Sequence, residues 1–284
     1  MGCVLCPNFC NIDKEKRTGF CGTDGKIRIA KYYLHPFEEP CVSGKNGSGT
    51  VFFCGCNLRC AFCQNYELSR AMRGKTITEI ELAEIFRELE QKSAHNINLV
   101  SPTQFSDKII NALKIYKPRV PVVYNTNGYE NVEILEKLCD YVDVFLPDLK
   151  FYSPLISKRY CGKEDYFEKA FKAILFMANK PLIFDKDGMI TSGTIVRHLV
   201  LPQGTVDSMK ILDELSVVKD KIYLNVMSQY TPFGDLKNLP ELNRKITRRE
   251  YEKVLDYAMA LGFTNMFYQK YKSADEKYIP EWDF

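Results

Sequence analysis

CGCNLRCAFCQN, residues 54–65, places four cysteines within ten positions. Cys56, Cys60 and Cys63 read C-x3-C-x2-C. Structural zinc takes four ligands, usually as two separated pairs. Three closely spaced thiolates suit an iron–sulfur cluster, which protein loops hold through cysteine. Three cysteines on a four-iron body leave one iron open to a small molecule, as catalytic metals keep a vacant position. A zinc site would need Cys54 or Cys41 as its fourth ligand and leaves Phe62 without a role. Cys54 alternates with Cys56 at the end of a strand, faces the other way, and reads as a buried small apolar residue.

The rest of the 284-residue chain is of ordinary globular composition, 45% apolar and 26% charged, enough for one large α/β domain or two small ones. A formal charge of +3 makes no electrostatic case for nucleic acid or an anionic membrane. The basic run Arg244–Arg249, followed by Glu250, reads as a solvated helix start. There is no run of about 18 apolar residues to cross a membrane. The N-terminus, MGCVLCPNFC, lacks the charged and apolar regions of a signal peptide. Its Gly2 is not followed by the Ser or Thr at position six that myristoylation wants, since Cys6 stands there. A cytoplasmic protein is expected. Of its 11 cysteines, seven fall in two tight groups, and in a reducing compartment such groups mean metal or redox chemistry.

From Thr50 onward, short apolar runs alternate with amphipathic segments. Strands are expected at 50–53, 97–100, 121–126, 142–146, 194–201 and 222–227, with a weaker one at 264–269. In TEIELAEIFRELEQ, Leu82, Ile85, Phe86 and Leu89 share one helical face, and Thr78 with Glu81 makes a capping box. Further helices are expected near 106–116, 131–140, 163–178, 206–218 and 247–261. Six β/α repeats predict a parallel sheet with helices outside. Six are fewer than the eight of a closed barrel, so the expected fold is α/β, a partial (β/α)6 barrel over 49–284. Residues 1–48, rich in Cys, Gly and Pro, form a separate extension held by something other than a core.

Polar residues recur where each strand ends. The cysteine loop follows the first and Ser101-Pro102-Thr103-Gln104 the second. Asn125-Thr126-Asn127-Gly128 follows the third, and Asp148 with Lys150 the fourth. The fifth carries Arg197 and His198, and the sixth ends at Ser228-Gln229-Tyr230. Parallel α/β folds build their sites at the carboxyl ends of strands. Alternation along the strand sends Arg197 and His198 to opposite faces, with Arg197 inward. Tyr230 is assigned to rim packing, Cys139 to the core, and His35 and His95 to structural roles.

With Cys56, Phe62 and Cys63 in place, the loop resembles the signature of the radical S-adenosylmethionine (SAM) superfamily. More closely, the chain resembles the pyruvate formate-lyase activating enzyme and its homologues across residues 50–269. The carriers are TNG at 126–128, DLK at 148–150, and Arg197 in VRHLVLPQ. HPFEEPCVSGKNGSGTVFF and CQN at 63–65 mark a particular branch. The resemblance implies a [4Fe-4S] cluster on Cys56, Cys60 and Cys63, whose open iron binds the amino and carboxylate groups of SAM. Reductive cleavage then releases a 5′-deoxyadenosyl radical that takes hydrogen from substrate, the cofactor carrying the chemistry and the protein positioning it. It further implies Phe62, Gln64 and Asn65 near the adenine and cluster. Asn125, Thr126 and Asn127 fall near the ribose or methionine part, and Asp148 and Lys150 near SAM and the reacting centre. Arg197 is expected to pair with a SAM or substrate carboxylate. Gln229 is added to the cofactor wall from its strand-end place.

Two positions depart from the family. Activating enzymes hold a monovalent cation beside SAM; Thr126 and Asp148 match that site, but Asn125 stands where an aspartate is expected. Where the family has Gly-Gly-Glu for the SAM amino group, this chain has Ser101-Pro102-Thr103, so backbone carbonyls or the Ser101 and Thr103 hydroxyls would serve. The expected partners are an electron donor such as flavodoxin or ferredoxin and, as substrate, a glycyl radical enzyme. The alternatives are a peptide or small-molecule substrate, or an iron–sulfur carrier or sensor without SAM chemistry. The second group, Cys3, Cys6, Cys10 and Cys21, can close a zinc site or an auxiliary iron–sulfur centre, or stay free.

Overall fold

In the computed structural model, which describes residues 2–268, the expected apolar runs become neighbours in one sheet. Its strands are β1 (Ile27–His35), β2 (Ser48–Phe53), β3 (Lys75–Ile77), β4 (Ile97–Val100), β5 (Val122–Thr126) and β6 (Val144–Pro147). They continue with β7 (Ile183–Phe184), β8 (Ile190–Leu199), β9 (Tyr223–Met227) and β10 (Met266–Tyr268). The order is β10-β9-β8-β6-β5-β4-β2-β1-β3, with β7 paired to β8. Every pairing from β2 round to β10 is parallel. The path has two ends, so the barrel is partial. All seven candidate strands are present, although Gln269, the end of the weakest, lies outside the described residues.

The helices are α1 (Pro40–Ser43), α2 (Tyr66–Ser69), α3 (Glu79–Gln91), α4 (Ser106–Ile115) and α5 (Val132–Leu138). After them come α6 (Pro154–Cys161), α7 (Tyr166–Met177), α8 (Thr205–Leu215) and α9 (Arg248–Ala260). α3 buries Leu82, Ile85, Phe86 and Leu89, and Thr78 with Glu81 forms the expected reciprocal cap. A second capping box, Thr247 with Glu250, opens α9, and Arg244 pairs with Glu250 there. The basic run is thus a helix start.

Strand alternation separates two surfaces. Tyr124 and Phe145 face α3–α5, and Val196 packs with α6–α9. Val123, Val144 and Ile195 point the opposite way, into the barrel, where Cys41 and Val42 of α1 meet them. Six elements were not read from the sequence: β1, β3, β7, the four-residue α1 and α2, and α6. IRIAKYYLH (β1), within the segment read as aperiodic, pairs antiparallel with β2 and β3 and buries Ile27 and Ile29. The three-residue β3 and two-residue β7 are too short to show a period. α6 had a start signal in Pro154 at its first turn and a stop at left-handed Gly162.

Leu99, fully buried in β4 against α3 and α4, tests this packing. Leu99→Ala should destabilise the chain by about 2–5 kcal/mol, read as a lower urea midpoint under anaerobic conditions.

Candidate active site

The strand-end residues converge. A cavity of about 270 Å³ is walled by the cysteine loop and by the carboxyl ends of β4, β5, β6, β8 and β9. Cys56, Cys60 and Cys63 line it with Phe62, Gln64 and Asn65. Ser101, Asn125, Thr126 and Asn127 line it from β4 and β5, and Asp148, Lys150, Arg197 and Gln229 complete it from β6, β8 and β9. Thr103 is the exception among the expected cofactor contacts. The chain turns into a single 3-10 turn after Ser101, which buries Thr103 and directs its hydroxyl to Glu130. It therefore stands outside the cavity wall, behind Thr126, whose hydroxyl also donates to Glu130.

The cysteine loop is held by its neighbours. Leu58 N–H donates to Cys56 Sγ at 3.4 Å, Asn127 Nδ2 to the same sulfur at 3.5 Å, and the Ser69 hydroxyl to Cys63 Sγ at 3.4 Å. Asn127 also donates to Asn57 Oδ1, and Asn57 in turn to the Tyr129 carbonyl. The Asn127 amide is thus committed to the loop. Gln104 Nε2 reaches the carbonyls of Cys54, Gly55 and Ser101, pinning the loop to the end of β4. Gly128 is required in the TNG turn: at φ +83°, a Cβ would stand 2.2 Å from the Asp148 carbonyl oxygen. Phe62 packs edge-on against Phe151, Tyr160 and Tyr230, and Tyr230, assigned to the rim from the sequence, is buried, lines the cavity and donates its hydroxyl to the Leu242 carbonyl.

These residues fit an iron–sulfur cluster. Burial pushes the Cys60 and Cys63 thiols up, so thiolates there need a cation to bind. The three sulfurs face one cavity, and two of them already accept hydrogen bonds, as ligand sulfurs do.

Beside the loop lies a mostly buried charge network. Asp148 accepts from Arg197 Nε at 2.8 Å and from Lys150 Nζ at 2.5 Å. Arg197 further donates from Nη2 to Asn125 Oδ1 at 2.6 Å and from Nη1 to Glu38 Oε2 at 3.3 Å. Burial would raise the Asp148 carboxyl, but Arg197 and Lys150 outweigh it and hold the carboxyl below its usual value. Burial opposes charge on Lys150 too, and Asp148 with Cys60 overcomes it. Three of the five Arg197 N–H donors therefore meet groups of this chain, and the carboxylate expected to face Arg197 is supplied internally. Lys150 keeps further donors beside the cavity. His198 turns outward as expected. It lies between the Leu149 carbonyl and the Ser208 hydroxyl, and burial lowers its pKa.

Three acids in this region were not picked out from the sequence. Glu38 and Glu39 enter the barrel from the segment before α1. Glu38 accepts from Asn98 and Asn125, and Glu39 from Asn225. Burial raises both, against the pull of Arg197. Their signal was two adjacent acids between prolines in HPFEEP. Glu130 is fully buried and raised to about 7 by burial, with the Thr103 and Thr126 hydroxyls opposing.

The family model of the radical SAM superfamily matches residues 50–183. An uncharacterised protein of Methanocaldococcus jannaschii is 34% identical over 269 residues, 90% of this chain and 74% of that protein. The chain belongs to the radical SAM superfamily. Two partial likenesses accompany this. A 7-carboxy-7-deazaguanine synthase of Methanothermobacter thermautotrophicus is 30% identical over 105 residues, 36% of this chain and 42% of that one. A putative glycyl-radical enzyme activating enzyme of M. jannaschii is 31% identical over 109 residues, 35% and 43% respectively. Among solved structures, Streptococcus suis SuiB bound to S-adenosylmethionine superposes with a TM-score of 0.51 at 16% identity. That superposition covers 76% of this chain and about half of SuiB, 48%. It shows the shared fold, a partial barrel of the radical SAM type.

Because its folded pKa is raised from 4.5 to about 7, Glu130 binds more protons folded than unfolded between those values. Its contribution is full below about pH 4.5 and is lost as pH rises to about 7. Glu130→Gln should lack this loss. The stability of the variant relative to wild type should climb between pH 4.5 and 7 and level off above, measured by denaturant midpoints across pH.

Proposed function

We propose that the chain cleaves SAM reductively at a [4Fe-4S] cluster held by Cys56, Cys60 and Cys63 and abstracts hydrogen from a substrate, as an oxidoreductase of the activating-enzyme type. The observation that carries this is the meeting of three cysteines with residues from five strand ends around one cavity. When bound, the cluster supplies the electron for cleavage of the sulfonium.

The remaining work falls to the chain. Asn125, Thr126 and Ser101 bound the side of the cavity assigned to the amino-acid part of SAM. Ser101, at φ +57°, opens the segment that stands where the family carries Gly-Gly-Glu. Its backbone N–H is held by the Asn125 carbonyl, leaving the hydroxyl for the SAM amine. Lys150 offers its open donors to a carboxylate, and Asp148 holds the ammonium in place. Arg197 organises the wall by bridging Asn125 and Asp148, which places a fixed positive charge where the family's monovalent cation is expected. Phe62, Gln64 and Gln229 enclose the adenine side and exclude water from a reactive intermediate. The likeness to a putative activating enzyme supports a glycyl radical enzyme as the hydrogen donor, with flavodoxin or ferredoxin as reductant. The equal partial likeness to a deazaguanine synthase supports the second reading, a small-molecule substrate. Among the described residues no helix is long and apolar enough to cross a membrane.

Anaerobically reconstituted protein, given SAM and a strong reductant, should yield 5′-deoxyadenosine by mass spectrometry, and Cys60→Ala should yield none. Cluster-loaded wild type without product would return the chain to the carrier or sensor reading. Because Arg197 supplies the charge between Asn125 and Asp148, product formation should also be the same in sodium, potassium and choline buffers.

A further inference from the structure

We propose that Cys3, Cys6, Cys10 and Cys21 hold a second iron–sulfur cluster, seated directly behind the Cys56–Cys63 loop. The first observation is what holds this segment in place. Among residues 2–26, the buried apolar side chains are Cys6 and Cys21, while Val4, Phe9 and Phe20 are exposed. No disulfide joins the cysteines. Leu5 packs at the edge of the α3–α5 core, but the buried apolar side chains here are thiols, and a segment with so little core of its own is built to be closed by a metal centre.

The second observation is how the sulfurs are used. Cys54 Sγ donates to the Arg73 carbonyl and Cys161 Sγ to the Ser157 carbonyl, as protonated structural thiols do. Two of the four N-terminal sulfurs, those of Cys6 and Cys10, accept. Asn8 Nδ2 donates to Cys6 Sγ at 3.6 Å and Phe20 N–H to Cys10 Sγ at 3.5 Å. The Thr23 hydroxyl lies 3.1 Å from Cys21 Sγ. Cys56 and Cys63 in the first loop are surrounded in the same way. A metal-bound thiolate has no proton to give and is stabilised by donors around it.

The third observation is convergence. Backbone pairs between Cys3 and Asn11–Ile12 fold residues 3–12 back on themselves. The sulfurs of Cys10 and Cys21 lie 3.8 and 3.5 Å from where a Cβ on Gly19 would sit, so a side chain there would fill the space beside them. Tetrahedral zinc needs its sulfurs about 2.3 Å from one centre, whereas an iron–sulfur body spreads its thiolates around a larger object. The Cys21 carbonyl accepts from Cys56 N–H at 3.2 Å, and Asn8 Nδ2 donates to the Asn57 carbonyl at 2.7 Å. The first of these two bonds joins a cysteine of one group directly to a cysteine of the other. This site stands apart from the SAM reading and holds whether or not SAM is cleaved.

The test is Cys56→Ala, Cys60→Ala, Cys63→Ala in the full chain, reconstituted anaerobically and assayed for iron, zinc and acid-labile sulfide. About two to four iron with matching sulfide should remain, and should vanish when Cys6→Ser and Cys21→Ser are added. One zinc, or iron without sulfide, or no metal would overturn the proposal. Should the triple variant not fold, wild type should carry about two to four more iron and sulfide than Cys6→Ser, Cys21→Ser; equal content would overturn it. Failure of the SAM reading shows separately, as a Cys6→Ser, Cys21→Ser protein whose reduced cluster spectrum does not respond to SAM.

Discussion

A carboxylate between two cations organises the interior of this barrel. Asp148, at the end of β6, binds Arg197 from β8 and Lys150 two residues on. Arg197 extends the link to Asn125 of β5 and to Glu38 of the N-terminal segment. In a low-dielectric interior such charges are tolerable only when paired and hydrogen-bonded, and removal of one member strands the others. The network ties β5, β6 and β8 at the level of the cavity. It also explains why the segment before α1 enters the barrel, since Glu38 and Glu39 bring their charge to Arg197.

That constraint sets the character of the cavity. Its charged wall is cross-linked within the chain, through the bonds that join Asp148, Lys150, Arg197, Asn125 and Glu38. Its opposite wall, the cysteine loop, is pinned by Gln104, Asn57 and Asn127 from the sheet side and by Cys21 and Asn8 from behind. Both walls are therefore preorganised without a ligand, the condition under which fixed dipoles and charges act on a reaction at little reorganisation cost.

The relatives divide along the same line. The radical SAM family model matches residues 50–183, while two partial likenesses, each over about a third of the chain, belong to proteins named for different chemistry. In the proposed reading, the cysteine loop and the strand ends carry the chemistry that the superfamily shares.

Much of this architecture is visible in the linear chain because its causes are local. The period of TEIELAEIFRELEQ, the capping box at Thr78 and the short apolar runs depend on neighbours two to four positions away. The pleat likewise tells that Arg197 and His198 part to opposite faces. The cysteine spacing is local too, because a loop must present its thiolates together. Other features depend on residues far apart. Glu38 meets Arg197 across 159 positions, and no spacing announces that pair. Thr103 sits one turn past a strand end, where a 3-10 turn rather than the pleat directs its side chain, so it faces Glu130 instead of the cavity. Glu130 itself reads as an ordinary loop acid until folding takes away its water. Local periodicity is written in the chain; which buried charge finds which partner is settled only when distant strands close around a common interior.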